Sequence, residues 1–176
     1  MKISRLVLFF SVALLGLTAL SITPSLAQTS ISTTTWYTVV NQNSGSCVDD
    51  AAGGTANGTH VQQWSCVAGS TNQQWQFQST SGGNYKVVSK NSTTMAWDVT
   101  GVSTTAGALI QLWTYGGGAN QQWSAVALDS THVKFVNLNS GLCLDVPAAS
   151  TANGVQLDQY TCNGTGAQSF QLAAQP

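Results

Sequence analysis

The sequence predicts an all-β protein, a closed barrel of three repeats of four short strands with pseudo-threefold symmetry. Three observations predict it. Asn72-Gln73-Gln74-Trp75 returns as Asn120-Gln121-Gln122-Trp123 and, degraded, as Ala167-Gln168-Ser169-Phe170, at spacings of 48 and 47 residues. Its surroundings return with it, so the period belongs to the whole chain. No stretch keeps a 3.6-residue apolar period, whereas short alternating runs bounded by Gly and Asn recur. Asp49, Asp98 and Asp145 are each followed nine residues later by a glycine, at Gly58, Gly107 and Gly154. Closing the sheet removes the exposed edges that an open twelve-strand sheet would carry.

Residues 1–27 are expected to be a secretory signal peptide. Lys2 and Arg5 precede an apolar run from Leu6 to Leu20, and Ser25-Leu26-Ala27 is a small-x-small cleavage site. The run is short for a membrane span, and nothing after Ala27 resembles a stop-transfer segment. Residues 28–35, rich in Ser and Thr, are expected to be a flexible leader. The folded domain is then 36–176, with repeats at about 36–80, 81–128 and 129–173.

Each repeat has the same order. The first strands are Tyr37-Thr38-Val39-Val40, Tyr85-Lys86-Val87-Val88 and Val133-Lys134-Phe135-Val136. The second strands, Cys47-Val48-Asp49, Ala96-Trp97-Asp98 and Cys143-Leu144-Asp145, follow a polar turn. A Gly-rich loop leads to the third strands, Val61 to Cys66, Ile110 to Tyr115 and Leu157 to Cys162. The Gln-x-aromatic elements, a QxW repeat, begin the fourth.

Four cysteines allow three pairings. Cys47 and Cys66 are nineteen apart, as are Cys143 and Cys162, and this equal spacing selects one bridge within each outer repeat. Ala96 and Tyr115 replace the pair in the middle repeat. Each bridge is worth about 3 kcal/mol on the loop-closure model. From Gln28 onward there are three bases, Lys86, Lys90 and Lys134, against six Asp, which leaves about three net negative charges. No basic patch results, so nucleic acid is excluded as a partner. The chain lacks Cys-x-x-Cys, and His60 and His132 stand alone, so no metal and no cofactor is expected.

Strand alternation separates core from surface. Val48, Trp97 and Leu144 share one face, and Val61, Ile110 and Leu157 point inward with them. Gln62 with Trp64, Gln111 with Trp113, and Asp158 with Tyr160 point outward. An outward Trp beside an outward Gln is a ligand-facing pattern rather than a core one. Trp75, Trp123 and Phe170 instead fit a threefold core layer, each stabilising by about 3 kcal/mol.

With spacing, cysteines and Gln-x-Trp agreeing in three copies, the chain from Tyr37 to about Leu172 resembles the ricin B-type lectins. These are carbohydrate-binding β-trefoils that also occur as appendages of secreted glycosidases. The resemblance implies that the second-strand Asp and the Asn of Asn-Gln-x-Trp bond sugar hydroxyls. It implies that a third-strand aromatic stacks on the sugar and that the third-strand Gln lines the pocket. The first site would be Asp49, Gln62, Trp64 and Asn72, with Gln73 orienting Asp49. The second would be Asp98, Gln111, Trp113 and Asn120, with Gln121 behind. The chemistry agrees: a carboxylate accepts from neighbouring hydroxyls and an amide donates back. The third repeat keeps Asp145 and Tyr160 but has Asp158 for Gln and Ala167 for Asn. That site is expected to be weak or dead.

The expected function is a secreted lectin, not an enzyme, for galactose- or xylose-type glycans. Two classes compete with it. A glycosidase needs two carboxylates across a cleft; Asp49 and Asp50 point to opposite faces, although Asp145 and Asp158 can approach each other. A structural or inhibitory trefoil shares the fold, and outward Trp64 and Trp113 argue against it. Oligomeric state is left open.

Overall fold

The computed structural model describes residues 30–176. The expected signal peptide, 1–27, lies outside the described residues. The first repeat comprises β1 (Trp36–Asn41), β2 (Cys47–Asp50), β3 (Thr59–Trp64) and β4 (Trp75–Ser79). The second comprises β5 (Tyr85–Ser89), β6 (Ser92–Val99), β7 (Ala108–Thr114) and β8 (Trp123–Ala127). The third comprises β9 (His132–Asn137), β10 (Cys143–Asp145), β11 (Val155–Gln156), β12 (Asp158–Tyr160) and β13 (Phe170–Gln175). The extra strand arises because the third strand of this repeat breaks at Leu157 as it changes partner. β11 lies against β3, whereas β12 lies against β10 and β7.

The first and fourth strands of each repeat close a ring of antiparallel pairs. β1 pairs β4, β4 pairs β5, β5 pairs β8, β8 pairs β9, β9 pairs β13, and β13 returns to β1. This is a six-stranded barrel. The second and third strands form three hairpins that cap one end, joined to each other by β3–β7, β7–β12 and β11–β3. The arrangement is a β-trefoil, and no ring strand is left with an open edge.

The core sits where barrel meets cap. Trp75, Trp97, Trp123, Phe77, Phe135 and Phe170 are fully buried there. Phe77 stacks on Phe135 with centroids 5.5 Å apart, and Trp97 meets both edge-on. Equivalent positions carry unequal side chains, such as Val48, Trp97 and Leu144, so a large residue in one repeat occupies space left by small ones in the others. Trp75, Trp123 and Phe170 are core residues, as their repeat position predicts.

The spaced glycines join one repeat to another. Gly58 N–H donates to Leu112 O at 2.9 Å, Gly107 N–H to Gln159 O at 2.8 Å, and Gly154 N–H to Gln63 O at 2.9 Å. Their φ values of 90°, 85° and 81° belong to the left-handed region, which glycine enters without a Cβ clash. Asn57 and Asn153, one residue earlier, accept the backbone N–H of Thr114 and Ser65 at 2.7 and 2.8 Å. Each Asn-Gly pair therefore caps the third strand of a different repeat. Buried Gln63 and Gln159 reinforce these joints by donating to Ser150 and Ala152 carbonyls and to Ser103 and Thr105 carbonyls.

Both disulfides join the pairs that the spacing selects, Cys47–Cys66 and Cys143–Cys162, with Cα atoms 5.0 and 5.1 Å apart. The leader differs from expectation at one residue. Ile31 is buried in the core cluster, and its N–H donates to Tyr85 Oη at 3.0 Å. An apolar side chain within reach of the barrel is drawn onto it even in a Ser/Thr-rich stretch.

Candidate functional site

Three equivalent surface sites lie on the cap hairpins. In each, the second strand carries an aspartate at or next to its end, and antiparallel register sets a third-strand residue opposite it: Asp49 across from Gln62, Asp98 from Gln111, and Asp145 from Asp158. The aromatic two residues further along stands on the same face. Trp64 and Trp113 are each 42% exposed and Tyr160 is 48% exposed, although all three are large and apolar. The three aspartates lie at the floor and are almost covered.

The loop after each aspartate forms a wall, and its backbone is unusual. Ala52 and Gly53, Gly101 and Val102, and Ala148 and Ala149 are consecutive residues with positive φ in all three repeats. For Val102, at φ 54°, a β-branched side chain occupies a conformation that normally excludes it. Strain repeated beside an open cavity is typical of functional loops.

In the first site Gln62 Nε2 donates to Asp49 Oδ1 at 3.0 Å, and Gln73 Nε2 donates to Asp49 Oδ2 at 3.1 Å. Burial raises the Asp49 pKa above the ordinary carboxylate value, and these two amides oppose the shift by holding the charge. Asp49, Ala51, Ala52, Gln62, Trp64 and Asn72 are among the residues lining a cavity of about 420 Å³. Gly154 of the third repeat leaves the space beside Trp64 open, since a Cβ added there would lie 3.6 Å from Trp64 Cζ3.

Asn72 is held by residues that the sequence motif does not include. Its Oδ1 accepts from Asn91 Nδ2 at 3.2 Å, and Asn91 Nδ2 also donates to Asp50 at 3.1 and 3.2 Å. Ser89 Oγ donates to the same Asp50 carboxylate. Burial pushes Asp50 up to about 6, while Ser89 and Asn91 pull it down and neighbouring Asp49 raises it. The signal for this network was in the repeats: Asp50 stands where the other two carry Val99 and Val146.

The second site uses the same residue types with different wiring. Gln111 Nε2 donates to Asp98 Oδ1 at 3.0 Å, matching the first site. The other carboxylate oxygen is held by Asn120 Nδ2 at 2.8 Å, so Asn120 is buried against Asp98. Gln121 Nε2 bonds Thr114 O at 3.0 Å and its Oε1 accepts Gly116 N–H at 2.8 Å. Burial raises the Asp98 pKa, and Gln111, Gln121 and Asn120 oppose it. Gly118 leaves room for this arrangement, because a Cβ there would come 2.5 Å from Asn120 Oδ1.

The third site has no amide opposite its aspartate. Asp145, Asp158, Tyr160, Pro147, Ala148 and Ala167 are among the residues around a cavity of about 420 Å³. Burial raises the Asp145 pKa and Gln168 opposes it. Among the described residues, no three His, Cys, Asp or Glu side chains gather as a metal site. No helix among them is long and apolar enough to cross a membrane.

A β-trefoil bearing repeated sites of carboxylate, amide and exposed aromatic belongs to the carbohydrate-binding class. The comparisons agree. The ricin-type beta-trefoil lectin domain-like family matches residues 27–113 and 119–176, and the chain belongs to it. A designed threefold-symmetric protein, ThreeFoil, is 38% identical with a TM-score of 0.75, over 78% of this chain and 97% of its own. The exo-beta-1,3-galactanase 1,3Gal43A from Clostridium thermocellum is 31% identical with a TM-score of 0.74, over 81% of this chain and 30% of its own. The Rhizoctonia solani agglutinin, 22% identical with a TM-score of 0.74 over 85% of this chain and 100% of its own, shares the fold. No curated protein matches in sequence.

Proposed function

We propose that this protein is a secreted, non-catalytic lectin of domain 36–176 that binds galactose- or xylose-type glycans through two complete shallow sites and a weaker third. The observation that carries this reading is the repeated Gln-to-Asp bond, 3.0 Å in both the first and second sites, set beside a half-exposed Trp. Each Gln fixes one carboxylate oxygen, which opposes the upward pKa shift of burial and orients the Asp in a nearly buried position. Its remaining acceptor capacity is turned toward the cavity, where two adjacent sugar hydroxyls supply donors. Trp64 or Trp113 then covers the apolar C–H face of the pyranose. Asn72, Asn120, Gln73 and Gln121 hold or complete the polar edge. A single site of this depth supports affinity near the millimolar range, about 4 kcal/mol. Several sites on one polysaccharide raise it through effective concentration.

Secretion is supported by the two disulfides, which persist in oxidising compartments, and by the basic-apolar-small start of the sequence. Absence of catalysis is supported by the placement of the carboxylates. Asp145 and Asp158 are cross-strand neighbours on one floor, whereas glycosidic cleavage needs its two carboxyls on either side of the bond. A second reading, a binding module working beside a secreted glycoside hydrolase, is favoured by the galactanase, of which this fold matches 30%. Both readings share the same sites.

Binding to a galactose column, to insoluble xylan and to a glycan array tests the proposal, with Trp64→Ala and Trp113→Ala as controls. Retention that weakens in both variants is expected. Equal retention of the wild type and the double variant would remove these sites from the function, and hydrolysis of a chromogenic glycoside above blank would overturn the non-catalytic assignment.

A further inference from the structure

The third cavity equals the first in volume, about 420 Å³, and keeps the aspartate, the aromatic and the left-handed wall. Gln168 acts on Asp145 from the last repeat turn, but the donor from the third strand is missing. In the other two sites the residue opposite the aspartate gives an N–H to Oδ1. Here that position is Asp158, in direct register with Asp145. Asp158 is only 7% exposed, lines the cavity, and its Oδ1 has no hydrogen-bond partner. Two ionised carboxylates cannot donate to each other, and at this separation in a covered site they repel.

The groups packed around Asp158 offer no counter-charge. β10 contributes Asp145; Cys143 on the same strand is tied up in a disulfide. β7 contributes Leu109 opposite it and carries no titratable residue. The turns at Pro147–Ala149 and Gly166–Gln168 have none. Tyr160 is the other titratable residue at the cavity. The one species that neutralises the pair and supplies the missing donor is a proton.

We propose that the third repeat is a proton-gated sugar site: protonated Asp158 donates its O–H to the Asp145 carboxylate, taking the part that Gln62 and Gln111 take in the other repeats. Asp145 is then oriented, singly charged and able to accept sugar hydroxyls, with Tyr160 as the stacking face. Loss of the shared proton sets two negative charges on the cavity floor and closes the site to neutral sugars. The direction is supported by burial and then by the Asp145 charge, which together push Asp158 up to about 7. The proton belongs to the pair, which titrates as a unit.

This inference rests on the sugar-binding reading of the first two sites, and the test separates the two. A Trp64→Ala/Trp113→Ala protein leaves the third site as the main source of binding. Its affinity for galactose and for xylotriose is measured by calorimetry or NMR titration at pH 5.5 and pH 8.5. At least tenfold tighter binding at pH 5.5 is expected for the sugar that wild type binds. Adding Asp158→Asn, which keeps a donor at every pH, is expected to give the same affinity at both. Equal affinity of the double variant at both pH values overturns the gate. So does an Asp158→Asn protein that still loses binding at pH 8.5 while its melting profile shows it folded. Restoration of binding at pH 8.5 by calcium would replace the proton with a cation and overturn it as well. No binding by the double variant at pH 5.5, while wild type binds, sinks this inference alone. A wild type that binds neither sugar sinks both readings.

Discussion

The first and third repeats build cavities of the same size from the same strands, the same loop and the same disulfide spacing. Trp64 and Asp50 of the first become Tyr160 and Val146 in the third, but two other exchanges decide the chemistry of the floor. Gln62 and Asn72 in one become Asp158 and Ala167 in the other. The consequence is large in chemistry and small in fold. Asp49 receives two amide donors, whereas Asp145 faces a second buried acid. Backbone bonds and the aromatic core set the shape of each repeat, while a few polar atoms decide what the shape can hold.

The largest expected effect falls on multivalent binding. Trp64→Ala together with Trp113→Ala should lower retention on a polysaccharide by about 10²-fold or more. Each single change should cost about tenfold. Tyr160→Ala at pH 8.5 should cost far less, and an equal loss in a depletion assay would erase the contrast between the repeats. The bridges should not distinguish them. Replacing Cys47 and Cys66 by Ala, or Cys143 and Cys162, should each cost about 3 kcal/mol in urea unfolding, because the closed loops are equal in length. Clearly unequal costs would place part of the difference in the scaffold.

A narrower effect is expected at Asn91. Asn91→Ala removes a donor from buried Asp50 and frees Asn72, so it should destabilise by about 1–3 kcal/mol. It should weaken the first site and leave the Trp113 site unchanged, which titrations followed at each indole can separate. Stability should also depend on pH with a defined sign. Asp158 and Asp50, raised to about 7 and about 6, bind protons in the folded state that the unfolded chain has already released. Their contribution is therefore full below about pH 4 and is lost as pH rises through 6 and 7. A fall in Tm of about 3 °C or more between pH 5 and pH 8 is expected, flattened in part by Asp158→Asn. A Tm that rises over this range would contradict the assignment of buried, protonated acids. Smallest of all, Val102→Gly should relieve a left-handed β-branched residue and stabilise by about half a kcal/mol after the entropy cost of glycine.

The barrel, its threefold order and its core aromatics were legible because repetition exposes them. Trp75, Trp123 and Phe170 recur at one period and proved fully buried. The cysteine pairing followed from equal spacing. Two details of the fold escaped. The break at Leu157 depends on one strand serving two partners, and the seating of Ile31 depends on a tertiary neighbour, Tyr85. The composition of the sites was legible too, but their wiring was not. Both complete repeats carry Asn-Gln, yet Gln73 holds Asp49 whereas Asn120 holds Asp98. Which amide reaches a carboxylate is decided by ångström-scale differences in the flanking turn, such as the room at Gly118. The Asp50 network spans two repeats, so no single motif contains it.

Sugar binding at the first two sites requires that ligand meet the two outward indoles. The protein has six tryptophans, and the indole N–H of each gives its own signal in a ¹⁵N NMR titration with galactose or xylotriose. Saturable shifts of Trp64 and Trp113 are predicted, with buried Trp75, Trp97 and Trp123 unmoved. Saturable binding that leaves Trp64 and Trp113 unmoved would contradict it.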